Sequence, residues 1–260
     1  MSRNALLSLV GSVAFAAVAV APLATSAPAS QPSDGVTVVG EAIIAGATLP
    51  VTTTATKVAT PSPACVNTAY AMAPWKLTST FKWYYNPAKA PASVSATALD
   101  TLKTGTRNVM TGQNRCGATP ALKTTDAYQG TSTKVAQVSA TGACTGNDNV
   151  SVTSWGDLPP TTLAYTCTYY RTGTGAVLGS DMLIDNKVHQ WFTTMPASCA
   201  NKFDLLSVVV HERGHTVGLA HVDQLTHAIE TMSPKTRPCD TSKRLLAGGD
   251  VAGLNSLYAR

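Results

Sequence analysis

Three histidines and one glutamate lie close together in the stretch VVVHERGHTVGLAHVD, residues 208–223. His211 and His215 are four residues apart, so on a helix their side chains lie on one face, one turn apart. Two imidazoles in that arrangement can bind the same metal ion. His221 cannot join them on an unbroken helix, because ten residues at about 1.5 Å each would place it about 15 Å from His211.

Gly218 lies between the second and third histidines and offers a way to bring them together. Glycine accepts the left-handed backbone conformation that ends a helix and turns the chain back. If the helix ends there, His221 approaches the ion from a second direction. Three neutral nitrogens with an open fourth position are typical of catalytic zinc. The spacing therefore predicts one catalytic Zn2+ bound by His211, His215 and His221.

Glu212 directly follows the first histidine and has the chemistry of a general base. Its carboxylate can take a proton from a water at the open position during attack on a carbonyl, and pass it to the leaving amine. A purely structural site needs no such group. The alternative is that these are polar residues on the surface of an amphipathic helix. The additional matches at Gly218 and His221 make a chance pattern rare.

The longer pattern HERGHTVGLAH resembles the zinc motif HExxHxxGxxH of the metzincin proteases. The segment ETMSP is similar to the methionine turn of that clan, with Met232 beneath the metal, and Pro234 is typical of the matrixin branch. The end, GGDVAGLNSLYAR, is similar to a matrixin closing helix, with Asp250 where an acidic residue supports the methionine turn. This resemblance covers about residues 81–260. It implies a zinc metalloendopeptidase with a mixed α/β (α+β) catalytic domain, in which a small twisted sheet accompanies an active-site helix and a C-terminal helix.

The same resemblance implies where a protein or peptide substrate binds. A strand around residues 163–170 would edge the cleft and pair with an extended substrate as an added strand. Residues 233–239, after the methionine turn, would wall the pocket beside the scissile bond.

Several positions depart from the matrixin pattern. The segment GSDMLIDNKVHQW is similar to one that binds a second zinc and calcium in matrixins, but Leu183 stands where the zinc histidine is expected. Asp181 and Asp185 remain, which leaves open either a Ca2+ site or two aspartates that cap a strand and a turn. Val222 replaces a usual serine. Arg213 replaces a usual apolar residue and is expected to form a salt bridge or lie along the surface.

Hydrophobic periodicity predicts the elements that position these residues. The segment FDLLSVVVHERGHTVG, residues 203–218, favours a helix capped by Asp204. An earlier helix is predicted within residues 90–112, with Ser93 as a candidate cap, and a final one over residues 249–260. Strands are predicted at 81–85, the first of the folded domain, and at 176–185, with strand and turn chemistry between residues 123 and 170.

The N-terminal composition predicts three parts of the chain. Residues 1–29 have an early arginine, an apolar run and then small residues, which is typical of a secretory signal peptide and less typical of a membrane anchor. Residues 30–74 are predicted to be a leader or propeptide, partly disordered. Residues 75–260 form the predicted catalytic domain. We therefore expect a secreted, extracellular monomer with no stable membrane association after signal cleavage.

Export implies that the six cysteines form disulfides, for which fifteen pairings are open. The segment NRCGATP around Cys116 resembles the matrixin cysteine switch, in which a propeptide thiolate blocks the zinc. A switch precedes the first strand of the catalytic domain, whereas Cys116 follows both a predicted strand and a predicted helix, so a disulfide is favoured. The favoured pairs are Cys65 with Cys116, Cys144 with Cys167, and Cys199 with Cys239.

Charge and composition limit the other function classes. The 260 residues carry a net charge of +5 with only 13% charged residues and no basic run, so nucleic acid is not an expected partner. Two alternatives to an endopeptidase stay open. One is a secreted, non-catalytic binding protein stabilised by zinc, and the other is a zinc hydrolase that acts on cell-wall peptides.

Overall fold

The computed structural model describes residues 35–46 and 63–259. The predicted signal peptide lies outside the described residues, as do the parts of the predicted leader before residue 35 and between residues 47 and 62. Within the described ranges, no helix has the length and apolar character needed to cross a membrane.

Eleven strands and four helices make up the described part of the chain. The strands are β1 (Val36–Ala45), β2 (Ala71–Met72), β3 (Phe81–Tyr85), β4 (Asp126–Thr131), β5 (Ser151–Gly156), β6 (Thr162–Arg171), β7 (Val177–Asp185), β8 (Gln190–Phe192), β9 (Lys202–Asp204), β10 (Leu219–Ala220) and β11 (Lys235–Thr236). The helices are α1 (Pro63–Val66), α2 (Ala98–Met110), α3 (Leu205–Thr216) and α4 (Gly248–Tyr258).

Seven strands form one mixed sheet in the order β11-β1-β6-β7-β5-β3-β4. Strands β7, β5, β3 and β4 pair in parallel, whereas β6 is antiparallel to both β7 and β1. Helix α2 packs against α3 so closely that a Cβ on Gly105 would lie 2.6 Å from Cγ1 of Val209. The predicted mixed α/β architecture, with an active-site helix and a C-terminal helix, is confirmed.

The predicted helix that carries the first two histidines is confirmed, including its cap. Asp204 has an extended backbone and accepts a hydrogen bond from the amide of Ser207, as an N-terminal cap should. The cap predicted for α2 was wrong, because α2 begins after Thr97. Ser93 lies in the preceding turns, where the amides of Val94 and Ser95 already bond to the carbonyl of Pro91.

The strand β1 lies within the stretch that composition assigns to a leader, and it precedes Phe81–Tyr85 in the main sheet. Its sequence VTVVGEAIIA is rich in β-branched residues, which suit a pleated strand. The composition of the longer segment is dominated by the Thr, Ala and Pro residues on either side, so this strand was not predicted.

Three disulfides link the six cysteines in the favoured pairs: Cys65 with Cys116, Cys144 with Cys167, and Cys199 with Cys239. The alternative of a Cys116 thiolate switch is therefore contradicted, because its sulfur is already bonded. The first pair also ties α1 to the loop after α2, which fixes the chain from residue 65 onwards to the domain.

Candidate metal centre and catalytic site

The three predicted metal ligands lie together at the end of α3. Gly218 has φ of +96°, so the chain leaves the helix in a left-handed turn and returns through β10 towards the site. The Nε2 atoms of His211, His215 and His221 lie 3.1 Å from one another in all three pairs. Nitrogens bound at about 2.1 Å in a tetrahedral zinc site would be about 3.4 Å apart. The observed triangle is close to that spacing, and the donor set suits zinc.

Backbone carbonyls fix two of the imidazoles in the form that a metal requires. Nδ1 of His211 donates to the carbonyl of Thr231 at 2.7 Å, and Nδ1 of His215 donates to the carbonyl of Leu219 at 2.9 Å. A carbonyl only accepts, so the proton is on Nδ1 and the Nε2 lone pair is free for an ion. Burial is the main reason that the pKa of each ring lies well below its usual range, and the neighbouring histidines lower it further.

His221 is the most accessible of the three histidines, with 24% of its side chain exposed. Burial lowers its pKa to about 4, so this ring is also neutral near pH 7. Its Nδ1 lies 3.4 Å from Oε2 of Glu41, a residue of β1. The outer nitrogen of the third histidine therefore faces a carboxylate from a distant part of the chain.

Glu212 is fully buried beside the triad. Its Oε1 accepts a hydrogen bond from the backbone amide of Ile43 in β1 at 3.1 Å. Burial raises the pKa of this carboxyl to about 8. The alternative of surface polar residues on an amphipathic helix is contradicted, since His211, Glu212 and His215 all have no exposed surface.

The methionine turn lies against α3 on the side of the triad. A Cβ on Gly214 would lie 2.2 Å from Sδ of Met232, so only glycine lets the helix approach the turn this closely. Asp250 accepts hydrogen bonds from the amides of Thr231 and Met232, at 3.0 and 3.2 Å. Asp250 thus holds the turn whose Thr231 carbonyl orients His211, the supporting role that the resemblance implies.

Arg213 does not lie along the surface, nor does it form a salt bridge among the described residues. It is fully buried, and its guanidinium lies over the rings of Phe81 and Trp83, 4.9 and 5.3 Å from the ring centroids. The hydroxyls of Thr106 and Thr153 accept its hydrogen bonds. The expectation was wrong because a delocalised cation can be buried by aromatic faces that come from a distant strand.

The carboxylates considered for calcium are engaged by the backbone. Asp181 accepts hydrogen bonds from the amides of Gln137 and Val152. Asp185 accepts from the amides of residues 187–189 and lies 2.9 Å from Nδ1 of His189. Among the described residues, the only group of three or more potential metal ligands is the histidine triad. These contacts favour the capping interpretation, and calcium has no support from them.

Sequence patterns missed the contribution of residues far from the zinc motif. Glu41 and Ile43 reach the site from β1, and the only local signal was the β-branched character of that strand. Lys243 is also buried at the site, where its ammonium donates to the carbonyls of Ser233 and Lys235. No sequence motif identifies Lys243, because its ammonium donates to backbone carbonyls, which do not depend on residue type.

A comparison with protein-family models matches residues 156–259 to the family described as matrixin. No curated protein and no solved structure matches the chain. The matched range includes the three histidines, Gly218, the methionine turn and Asp250. It also includes β6 and β11, the two elements on either side of β1. The suspected resemblance is therefore confirmed: this part of the chain is similar to the matrixins, the branch of the metzincin proteases that its motifs indicate.

Proposed function

We propose that this protein is a secreted zinc-dependent endopeptidase. The observation that supports this most strongly is the triangle of three neutral Nε2 atoms, 3.1 Å apart, beside the buried carboxylate of Glu212 on the same helix. The match of residues 156–259 to the matrixin family supports the same class of enzyme. Three disulfides are typical of an extracellular protein.

In this proposal His211, His215 and His221 bind the ion and Glu212 is the general base. When bound, zinc would supply a Lewis acid that polarises the substrate carbonyl and makes water more acidic. Glu212 is placed to accept the proton of the attacking water and to donate it to the leaving amine.

An extended peptide would lie along β6. The backbone amides and carbonyls of β6 that face β1 would pair with a substrate strand in its place, and β11 with residues 233–239 would form the opposite wall. Lys243 supports that wall through the carbonyls of Ser233 and Lys235. Binding through backbone atoms suits proteins and peptides in general, and leaves side-chain preference to the pockets beside the scissile bond.

The two alternatives predict different results for a Glu212→Gln variant. Gln has the same size as Glu and can still form hydrogen bonds, but it cannot act as a base. We expect about one zinc per chain by elemental analysis in both proteins, and cleavage of casein and of a peptide library only in the parent. Equal residual activity in the variant, or no zinc in either protein, would contradict the mechanism. Zinc without cleavage of any substrate, either by the full chain or after its limited proteolysis, would favour the non-catalytic protein, and cleavage of cell-wall peptides alone would favour the other hydrolase.

A second pair of variants tests the ligand assignment. His215→Ala should lose the bound zinc, whereas His227→Ala should keep it, because the ring of His227 bonds to Asn67 and is not part of the triad. Both substitutions remove one imidazole from the same region of the chain. Loss of zinc in both variants would indicate a general structural effect and not ligation.

A further inference from the structure

We propose that residues 36–45 are an internal inhibitory strand, which occupies the peptide-binding channel and must leave before a substrate can enter. The proposal rests on the proposed endopeptidase function and concerns the regulation of that site. It assigns an occupant to the channel between β6 and β11, namely β1 of the same chain.

Backbone pairing places β1 where an added substrate strand would lie. Strand β1 runs antiparallel to β6 from Val36, opposite Arg171, to Ile43, opposite Ala164. On its other side it runs parallel to β11, with Ile44 opposite Lys235. An extended substrate needs these same amides and carbonyls. Occupation by β1 and occupation by a substrate therefore exclude each other.

The end of β1 is held by further hydrogen bonds to both walls of the channel. The amide of Ile44 donates to the carbonyl of Pro234 at 2.8 Å, and the amide of Ala45 donates to the carbonyl of Thr161 at 2.8 Å. The amide of Gly46 donates to the carbonyl of Thr236 at 2.7 Å. These bonds alternate between the two sides, as they would for a peptide clamped between two strands.

Strand β1 contacts the catalytic residues directly, through one backbone amide and one side chain. The amide of Ile43 donates to Glu212, the group that must be free to receive a proton from water. The side chain of Ile43 has no exposed surface and belongs to the main hydrophobic core. Two residues earlier, on the same face of the strand, Glu41 lies 3.4 Å from His221. Both a general base and a proposed metal ligand are thus in contact with β1.

No covalent bond other than the backbone holds β1 in the channel. The first cysteine of the chain is Cys65, so none of the three disulfides reaches residues 36–45. From Cys65 onwards the chain is tethered to the domain through Cys116. One cut between residues 46 and 65 would therefore separate a detachable strand from a crosslinked domain.

The first experiment introduces the recognition sequence of a site-specific protease between residues 47 and 62 of the full chain. We expect cutting to raise casein cleavage at least tenfold and to leave the zinc content unchanged, whereas the same protease should not alter the parent chain. Equal activity before and after cutting would contradict the inhibitory strand but leave the proposed function intact. Loss of zinc on removal of the strand would assign β1 a permanent structural role and overturn the proposal.

Binding in trans gives a readout that does not depend on turnover. A synthetic peptide of residues 35–46 should bind the cut Glu212→Gln chain in a calorimetric titration, after the released fragment has been removed, and an extended substrate peptide should compete with it. Absence of binding, or binding without competition, would contradict occupation of the substrate channel. If the peptide binds and competes but no cut form cleaves any substrate, the proposed function fails and the assignment of the occupant stands.

A matched pair of substitutions tests the strand in the uncut chain. Ile43→Ala removes a fully buried side chain and should weaken the hold of β1, so casein cleavage should rise about tenfold. Val38→Ala removes a side chain that is 44% exposed and should leave cleavage unchanged. If Ile43→Ala lowers stability with no rise in cleavage, Ile43 is only a core residue and the proposal is contradicted.

Discussion

The carbonyl oxygen of Trp75 lies so close to Gly218 that a Cβ on Gly218 would be 2.2 Å from it. The same tryptophan donates from its indole nitrogen to the carbonyl of His215, at 2.8 Å. Trp75 therefore packs against the end of α3 at the point where the chain turns back towards His221.

Gly218→Ala should reduce both stability and zinc affinity. Alanine meets the Trp75 carbonyl and also resists the φ of +96°, so we expect the free energy of unfolding to fall by about 2 kcal/mol or more. Urea unfolding and a competitive zinc titration measure the two effects. Gly117→Ala is the control, because Gly117 also has positive φ, +64°, but a Cβ there would meet nothing within 4 Å. Equal losses at both positions would show that the backbone angle alone matters.

Substitutions at Arg213 should separate the volume of the side chain from its charge. Arg213→Ala leaves a cavity between the rings of Phe81 and Trp83, and we expect unfolding to become easier by about 3 kcal/mol. Arg213→Met fills most of that volume and removes a buried cation whose Nη1 has no partner in the described part of the chain. We expect the methionine variant to lie within about 1 kcal/mol of the parent in chemical denaturation. Similar large losses in both variants would mean that the cation itself stabilises the fold.

Asp250→Ala should loosen the methionine turn and weaken metal binding. The substitution leaves the buried amides of Thr231, Met232 and Ala247 without their acceptor, which should cost about 3 to 5 kcal/mol of stability. Because the Thr231 carbonyl orients His211, the zinc affinity should fall as well. Asp250→Asn keeps one carbonyl oxygen and should show a smaller loss of both. Unchanged zinc affinity in the alanine variant would indicate that the turn does not orient the ligand.

Stability should depend on pH through Asp181. Burial raises the pKa of this carboxyl from 3.8 to about 6, so the folded state favours its protonated form. Its contribution to stability is fully present below about pH 4 and is lost as the pH rises through 6, a change of about 3 kcal/mol. Asp181→Asn stays neutral throughout. The difference in unfolding free energy between parent and variant should therefore shift in favour of the variant from pH 4 to 6, and a constant difference would contradict this assignment.

Local patterns predicted those parts of the fold that depend on neighbours along the chain. Asp204 caps α3, Gly218 ends the turn after it, and both roles follow from residue types within a few positions of the histidines. Capping and glycine conformation act over short distances along the chain, which is why the sequence carries their signal. The pairing of Cys199 with Cys239 is also confirmed, although these two cysteines are 40 residues apart.

Contacts between distant segments could not be predicted in this way. Strand β1 finds its partners in β6 and β11, more than a hundred residues later, and nothing within Val36–Ala45 identifies them. The burial of Arg213 depends on rings in β3, also more than a hundred positions away. In both cases the sequence shows a suitable residue type but not the surface that will cover it.

The Cys199–Cys239 disulfide encloses all three histidines and the methionine turn in one covalent ring. A peptide bond broken anywhere inside that ring opens it without releasing a fragment, so the ligands stay attached to one another. Under the proposed function, one copy of the chain can cut another within this ring. We therefore expect single internal nicks in this region to be visible only on reducing gels, with the nicked protein still able to retain its metal.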